Sequence, residues 1–467
     1  MNKHIRLNAF SMNCVGHQAP GLWAHPRDES WRYKDAEYWV SLARILERGK
    51  FDGLFLADVL GVYDVYQGSH EAALRQAVQV PVNDPLLLVP LLAQATEHLG
   101  FGVTCALTYE HPYPFARRMS TLDHLTAGRI GWNIVTSYLD SAARNIGLDQ
   151  QIAHDDRYEI AEEYLEVCYK RWEGSWQDDA VVRDKQQRLF TDPQKVHGIG
   201  HRGRHYSVPG IHLCEPSPQR TPVLYQAGAS TRGKAFAGKH AECVFVSGPS
   251  KAIIKSYVDD IRGAAVSAGR DPADILIFLM FTAVTAPTQS EAEQKYAEYR
   301  EYVSTDGALA LMSGWTGVDL GAYGLDDVVQ YVEKEANRSA LESFTRADPN
   351  RAWTVREVAN WVGIGGRGPL AVGTPQLVAD TMQEWVDATG IDGFNLTYVV
   401  AHETFSDFVE LVVPELQRRG VYKLDYRHGT LREKLFGREP KLAAPHPGAA
   451  YRQLLERHTV AAIDAHD

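Results

Sequence analysis

The sequence predicts an α/β fold in which eight parallel strands close into a (β/α)8 TIM barrel carrying inserted segments. Three observations lead there. Short runs rich in β-branched and aromatic residues alternate with amphipathic helical stretches along the chain, as parallel βαβ units require. Those runs number eight, the count that closes a barrel. One αβ connection also occurs twice. LERGKFDGLFLAD (46–58) and DATGIDGFNLTYVV (387–400) share a helix end, a glycine, an apolar-Asp-Gly-apolar turn and a strand, as repeated connections at the bottom of a barrel should.

In chain order the strands are IRLNAFSM from Ile5, GLFLAD from Gly53, FGVTCALT from Phe101 and RIGWNIVT from Arg129, then PVLYQAG from Pro222, CVFVS from Cys243, ILIFLMFTAVT from Ile275 and GFNLTYVV from Gly393. Helices are expected between them, for example DAEYWVSLARILERG from Asp35, DPLLLVPLLAQATEHLG from Asp84 and DDRYEIAEEYLEVCYKRWEG from Asp155. Each has apolar residues three and four apart and a glycine at its end. One barrel domain over 1–440 is expected, with insertions near 60–83, 174–221 and 286–373 and a C-terminal tail over 441–467. Loops that follow strands build the top face of a barrel, so the first and third insertions are candidate walls or lids; the second precedes a strand and suits that role less.

At 467 residues, with 45% hydrophobic and 23% charged residues, the chain can bury a large core. A formal net charge of −11 argues against nucleic acid or an anionic membrane as partner and leaves small molecules. The start MNKHIRLNAFSMN lacks a signal-peptide core and no run of eighteen apolar residues occurs, which points to the cytoplasm. Cys14, Cys105, Cys168, Cys214 and Cys243 form no CxxC pair and read as small buried or neutral residues.

In a barrel, function sits at the C-terminal ends of strands. Polar residues there are Asp58, Thr104 and Thr108, Asn133 and Thr136, and the stretch QAGASTRG (226–233). Any one could cap the next helix. Four tips together point to a shared ligand. In QAGASTRG, Ser230 and Thr231 offer hydroxyls before a helix whose free amides and positive dipole end suit a phosphate, with an ordinary N-cap as the competing reading. HDDRY (154–158) sets His154 and Tyr158 one turn apart at a helix start, where both reach one anion or ring edge, or simply face solvent.

Two motifs mislead. GIGGRG (363–368) matches GxGxxG but follows the helical TVREVANW instead of a strand, so a dinucleotide site is not expected there. His197, His201, His205, His212 and Cys214 lie close in sequence, yet intervening Gly and Pro break any helix that would align them, and no metal is expected. No G-x-S-x-G elbow, Walker loop or HExxH is present. A barrel with a phosphate pocket and no evident nucleophile needs a cofactor for the hard chemistry.

The segments NAFSMN, ERGKFDGLFLAD, ATEHLGFG, HPYPFARRMSTLDHLTAGRIGWNIVTS, AHDDRY, HLCEPSPQRTPVLYQAGASTRG and VGTPQLVAD together resemble the bacterial luciferase-like flavin monooxygenases. The resemblance is to the branch containing nitrilotriacetate, EDTA, dimethyl sulfide and dibenzothiophene sulfone monooxygenases, and it spans nearly the whole chain. It implies a two-component system: a separate NAD(P)H-dependent reductase supplies reduced FMN (FMNH2), which this chain binds with O2 and an organic substrate. Carried over by motif, the flavin contacts are Asp58, Thr104, Asn133, Thr136, His154, Tyr158, Ser230 and Thr231, with Ala106 or Thr108 as alternatives to Thr104. Phe10, Phe55, Trp132 and Phe245 are candidate apolar walls of a substrate pocket, each equally an ordinary core residue, and His17 is a candidate proton donor or substrate contact.

Few cations occur in MNCVGHQAPGLWAHPRD and LGVYDVYQGSHEAAL, which favours a neutral organosulfur substrate such as dimethyl sulfide. The same scaffold acting on an aminopolycarboxylate, a haloaromatic or riboflavin, or an F420-dependent oxidoreductase, is the alternative. The resemblance further implies a homodimer or homotetramer.

Overall fold

Strand β1 (Arg6–Met12) lies between β2 (Gly53–Ala57) and β8 (Gly393–Thr397), paired in parallel to both. Around the ring follow β3 (Gly100–Ala106), β4 (Ile130–Val135), β5 (Val223–Ala227), β6 (Cys243–Val246) and β7 (Leu276–Thr285), and β6–β7 and β7–β8 pairing closes it. The eight expected strands are these eight. This computed structural model describes residues 3–227, 230–330, 338–345 and 351–452. A further short strand, Leu370–Gly373, pairs with the C-terminal half of β7, which is why that run is ten residues long.

Each strand is covered by a helix: α1 (Ala36–Arg48), α2 (Val89–Ala95), α3 (Pro112–Leu125), α4 (His154–Trp172), α5 (Thr231–His240), α6 (Lys251–Ser267) and α7 (Pro375–Thr389) follow β1 to β7. A composite helix (Glu403–Asp407, Phe408–Val412, Val413–Arg418) follows β8. Covered on one face by helices and on the other by the barrel interior, the strands bury both sets of side chains, hence their nearly continuous apolar runs. Inside the barrel Phe55, Tyr225, Phe245 and Phe278 interdigitate. The Tyr225 and Phe245 rings stack at 5.5 Å and the Phe55 and Phe245 centroids lie 4.2 Å apart.

The repeated αβ connection has a physical basis at the strand starts. Asp52 and Asp392 each receive a backbone N–H on a side-chain oxygen, from Leu7 (2.8 Å) and Ile277 (2.8 Å), while their own N–H groups donate back to the carbonyls of the same residues (2.7 Å each). Glu242 does the same for Leu224 before β6, accepting at 3.0 Å and donating at 2.8 Å. An acidic residue at this point therefore closes the ladder at the bottom of three strands.

One helix ends earlier than its pattern suggests. DPLLLVPLLAQATEHLG stops at Ala95, and Thr96 is extended. The buried Arg129 guanidinium donates to the carbonyls of Ala93 and Leu99, and the Glu47 carboxylate accepts the N–H groups of Glu97, His98 and Leu99. Tertiary partners thus replace the last helical turn, and Gly100 opens β3 instead of capping a helix.

The described parts of the insertions pack in two places. Segments 60–83 and 286–373 build a second hydrophobic core over the barrel mouth, centred on helix Thr305–Thr316, whose residues from Gly307 onward are buried, and packed by Tyr63, Tyr66, Leu139 and helix Val355–Val362. Segment 174–221 forms two small hairpins, Val181–Asp184 with Leu189–Thr191 and His201–Arg202 with Ser207–Val208, away from the mouth. Of the expected tail, residues 441–452 pack on the barrel: the His446 Nε2–H group donates to the His240 carbonyl at 2.8 Å and Arg452 pairs with Glu173. Residues 453–467 lie outside the described residues.

The opposite end of the barrel is plugged by helix Leu431–Phe436, which contributes Leu431 and Leu435 to the interior cluster. Arg432 on this helix pairs with Glu242 at 2.7 Å, both buried, and donates to the carbonyls of Thr221 and Pro222. Arg432→Met leaves the Glu242 carboxylate without its counter-charge and is expected to destabilise the fold by roughly 3–5 kcal/mol. Adding Glu242→Gln should recover most of the loss, measured by denaturant unfolding; a single variant as stable as wild type would show the pair to be idle.

Candidate active site

Side chains alternate between the two faces of a strand, so at the barrel mouth only every second residue points inward. On β3 and β4 these are Thr104 and Asn133, which stand in register; on β7 and β8 they are Met280 and Asn395. Together with Phe10, Phe55 and Phe245 they line a cavity of about 280 Å³. The Asn133 amide donates to Thr104 Oγ1 at 2.9 Å, which leaves Asn133 Oδ1 buried without a donor. Asn395 Oδ1, Gln18 Oε1 and Gln226 Oε1 are in the same state on the same cavity. Each such buried acceptor costs ~1–3 kcal/mol when nothing bonds it. Four around one void mark a place built for a ligand rich in N–H and O–H donors.

A second set of polar groups meets at the β4–β5 side. Ser230 is the N-cap of α5, its Oγ accepting the Gly233 N–H at 3.1 Å. His154 opens α4 and its Nε2 lies 3.4 Å from Ser230 Oγ, with Tyr158 one turn on at 5.2 Å between ring centroids. His154, Arg157, Tyr158 and Ser230 all line the cavity, so two helix N-termini present their free amides and positive dipole ends at one corner. That corner suits an anion. Burial holds the Tyr158 phenol above its usual range, so it serves as a neutral hydroxyl.

Asp58, at the tip of β2, also lines the cavity. Burial, with Asp84 adding repulsion, pushes its carboxyl up to about 7. His17 goes the other way: burial lowers its imidazole to about 3, and Gln18 Nε2 lies 3.2 Å from its Nε2. That burial favours the neutral ring, which keeps a single N–H and a lone pair. Above it a hydrogen-bonded chain ties the lid to the barrel: Tyr63 OH donates to Gln79 Oε1 at 2.8 Å, Gln79 Nε2 donates to the His17 carbonyl at 2.7 Å, and the Tyr63 and Tyr138 hydroxyls lie 3.0 Å apart.

Of the residues expected from sequence, His17, Asp58, Thr104, Asn133, Thr136, His154, Tyr158, Ser230, Phe10, Phe55 and Phe245 line this one cavity. Two do not. Trp132, next to inward-facing Asn133, points outward into the helix layer, against Phe115 at 4.5 Å, with its indole N–H donating to the Cys105 carbonyl at 3.0 Å. Strand parity alone decides this. Thr231 follows the N-cap and turns onto the exposed side of α5. Of the alternatives to Thr104, Ala106 also lines the cavity, whereas Thr108 bonds the Thr136 carbonyl at 2.8 Å. Gly228, part of the expected phosphate loop, lies outside the described residues.

Gln18, Gln226, Asn395 and Arg367 were not singled out from sequence. Asn395 carries the same signal as Asn133, an amide within an apolar strand; Arg367 sits in GIGGRG, whose glycines draw attention only to nucleotide binding. The clustered histidines have separate partners, His201 with Glu163 at 3.1 Å and His212 with Ser120 at 2.9 Å. Among the described residues no group of three or more His, Cys, Asp or Glu side chains is placed to hold a metal ion, and no helix is long and apolar enough to cross a membrane. The five cysteines are unpaired, and burial raises the thiols of Cys14, Cys105, Cys168 and Cys243 well above their usual range.

Because an unfolded aspartate titrates near ~3.9, the folded chain holds an extra proton on Asp58 between about pH 4 and about 7, and the contribution of this group to stability falls as pH rises through that window. Asp58→Asn removes the penalty. Its gain in melting temperature is expected to be absent near pH 4, to grow toward pH 7 and to level off above; a gain independent of pH would contradict the assignment.

Residues 9–393 match the model of the family described as Luciferase-like monooxygenase. A dimethyl-sulfide monooxygenase from Hyphomicrobium sulfonivorans is 53% identical over 453 residues, covering 97% of this chain and 94% of that one. A crystal structure of that organism's enzyme superposes with a TM-score of 0.90. A long-chain alkane monooxygenase from Geobacillus thermodenitrificans strain NG80-2 is 52% identical over 455 residues, covering 97% and 99%, and a crystal structure of such an enzyme also gives a TM-score of 0.90. A riboflavin lyase, whose crystal structure holds modified FMN and riboflavin, superposes at 0.90 with 38% identity, over 96% of this chain and all of that one. With a family model spanning residues 9–393 and relatives 53% and 52% identical over nearly its whole length, this chain belongs to the luciferase-like monooxygenase family.

Proposed function

We propose that the cavity binds reduced FMN, delivered by a separate NAD(P)H-dependent reductase, and that the chain uses it with O2 to oxidise a small organic substrate, an organosulfur compound first among the candidates. The observation that carries this reading is the pairing of two features on one void: the anion corner of Ser230, His154 and Tyr158, and the four buried amide oxygens that lack donors. A flavin mononucleotide has a phosphate for the first and ring N–H and ribityl hydroxyl groups for the second. The riboflavin lyase, whose structure holds modified FMN, supports the same cofactor class.

Bound reduced FMN supplies the electrons that activate O2 for transfer of one oxygen atom. The chain's own residues do the rest. Ser230, His154, Tyr158 and the N-termini of α4 and α5 hold the phosphate; Asn133, Gln226 and Asn395 offer fixed dipoles to the polar edges of the cofactor; Phe10, Phe55 and Phe245 supply an apolar floor. The lid core over the mouth, tied down through Tyr63 and Gln79, keeps water from the reacting atoms. Asp58 changes charge near neutrality and is placed to hold a proton in the cavity. The two relatives at 53% and 52% identity are named for different substrates, so overall similarity does not choose between sulfur and hydrocarbon oxidation. The exposed Leu87 and Leu91, four residues apart on one helical path, suit burial in a homodimer or homotetramer.

The test mixes the purified chain with FMN, a flavin reductase and NADH under air, and follows flavin binding by fluorescence and product formation over a panel of sulfides, sulfones and alkanes. Ser230→Ala and Asn133→Ala are each expected to weaken FMN binding about tenfold or more, the loss of one charge-assisted or buried hydrogen bond. Uptake of F420 in preference to FMN, with no flavin-dependent product, would overturn the reading.

A further inference from the structure

One wall of the cavity carries a cation that the cofactor reading leaves unused. Arg367 lines the cavity with its guanidinium stacked over the Trp315 ring at 4.8 Å. Its Nε is sealed from solvent without an acceptor, and among the described residues no carboxylate comes within ion-pair distance of it. Among the described residues the one acid lining the cavity is Asp58.

The chain goes to some length to put this guanidinium there. Gly365 and Gly366 both adopt φ of +76°. A Cβ on Gly365 would stand 1.9 Å from Thr282 Oγ1, one on Gly366 2.2 Å from Gln18 Oε1, and one on Gly368 2.2 Å from the Met280 carbonyl oxygen. The Gly365 carbonyl oxygen lies 3.3 Å from the hydroxyls of both Thr282 and Thr397, which bond each other at 2.6 Å and leave one O–H to donate to it. The glycines of GIGGRG therefore press the loop flat onto β7, β8 and the segment after β1, and Arg367 between them is held at the cavity wall.

Its place in the ring separates it from the anion corner. β7, β8 and β1 are contiguous and lie across the barrel from β4 and β5, where Ser230, His154 and Tyr158 meet. Arg367 instead faces the lid, its guanidinium over the Trp315 ring on a cavity that Tyr63 and Tyr138 also line.

We propose that Arg367 is a specificity-determining residue that binds an anionic head, a carboxylate or sulfonate, on the organic substrate, so that the substrate joins an acidic group to the apolar portion presented for oxidation. A guanidinium taken from water without a counter-charge is costly, and a planar oxyanion meets its fork with paired hydrogen bonds. The inference rests on the proposed flavin site and narrows its substrate class: the scarcity of cations in the segments after β1 and β2 favours a neutral compound only while Arg367, far along the chain, is left out of the count.

The experiment measures binding and turnover separately. The FMN-loaded protein is titrated with 3-(methylthio)propanoate and with its neutral methyl ester, read by perturbation of the flavin absorbance, in wild type, Arg367→Met and Arg367→Lys. Wild type is expected to bind the acid at least tenfold tighter than the ester. Arg367→Met should lose that preference through weaker acid binding alone, Arg367→Lys should restore part of it, and FMN affinity should stay unchanged in both. Equal binding of acid and ester to wild type, or an Arg367→Met variant that weakens both alike or lowers FMN affinity, overturns the proposal. Preferential acid binding without oxygen incorporation in the reductase-coupled assay leaves it standing and counts against the monooxygenase reading instead.

Discussion

Everything at the mouth of this barrel depends on one constraint: a buried amide must be bonded. Asn133, Asn395, Gln226 and Gln18 each leave an oxygen inside the protein without a donor, around a single void. The rest of the fold makes that arrangement tolerable. Interior aromatics at Phe55, Tyr225, Phe245 and Phe278 and the plug of Leu431 and Leu435 fill the barrel below the polar layer, so the unsatisfied groups face an enclosed space that a ligand can occupy. Stability lies in the lower barrel and recognition in the upper layer, as the one-sided placement of function in this architecture requires.

The lid extends the same division. Its hydrophobic core is distinct from that of the barrel, built from two insertions far apart in sequence and joined through helix Thr305–Thr316. Gly314 on that helix lets Tyr63 approach so closely that a Cβ would overlap the ring at 1.9 Å. Tyr63 then passes the connection through Gln79 to the backbone of the segment after β1. The wall opposite the anion corner is thus set by packing between insertions.

Electrostatically the cavity is arranged to hold few fixed charges. Burial keeps His17 neutral and lifts the Asp58 carboxyl to about 7, so neither presents a full charge under mildly acidic conditions. Two arginines remain among the lining residues, Arg157 beside the anion corner and Arg367 under the lid.

Local sequence determined the barrel, because the signals that specify it act over a few residues. Short, nearly continuous apolar runs mark the eight strands, and an acidic residue before the strand marks the ladder closures at Asp52 and Asp392. It also marked most of the cavity, since an amide or hydroxyl inside an apolar strand, as at Asn133 and Thr104, has no structural reason to be there. Strand parity counted from Asn133 also places Trp132 on the outward face. Tertiary structure alone decided the rest. The end of α2 at Ala95 depends on Arg129 and Glu47, the neutrality of His17 on burial by distant segments, and the role of GIGGRG on where its loop lands. In each case the deciding partner is tens to hundreds of residues away, and pairings between distant residues leave no mark on local periodicity.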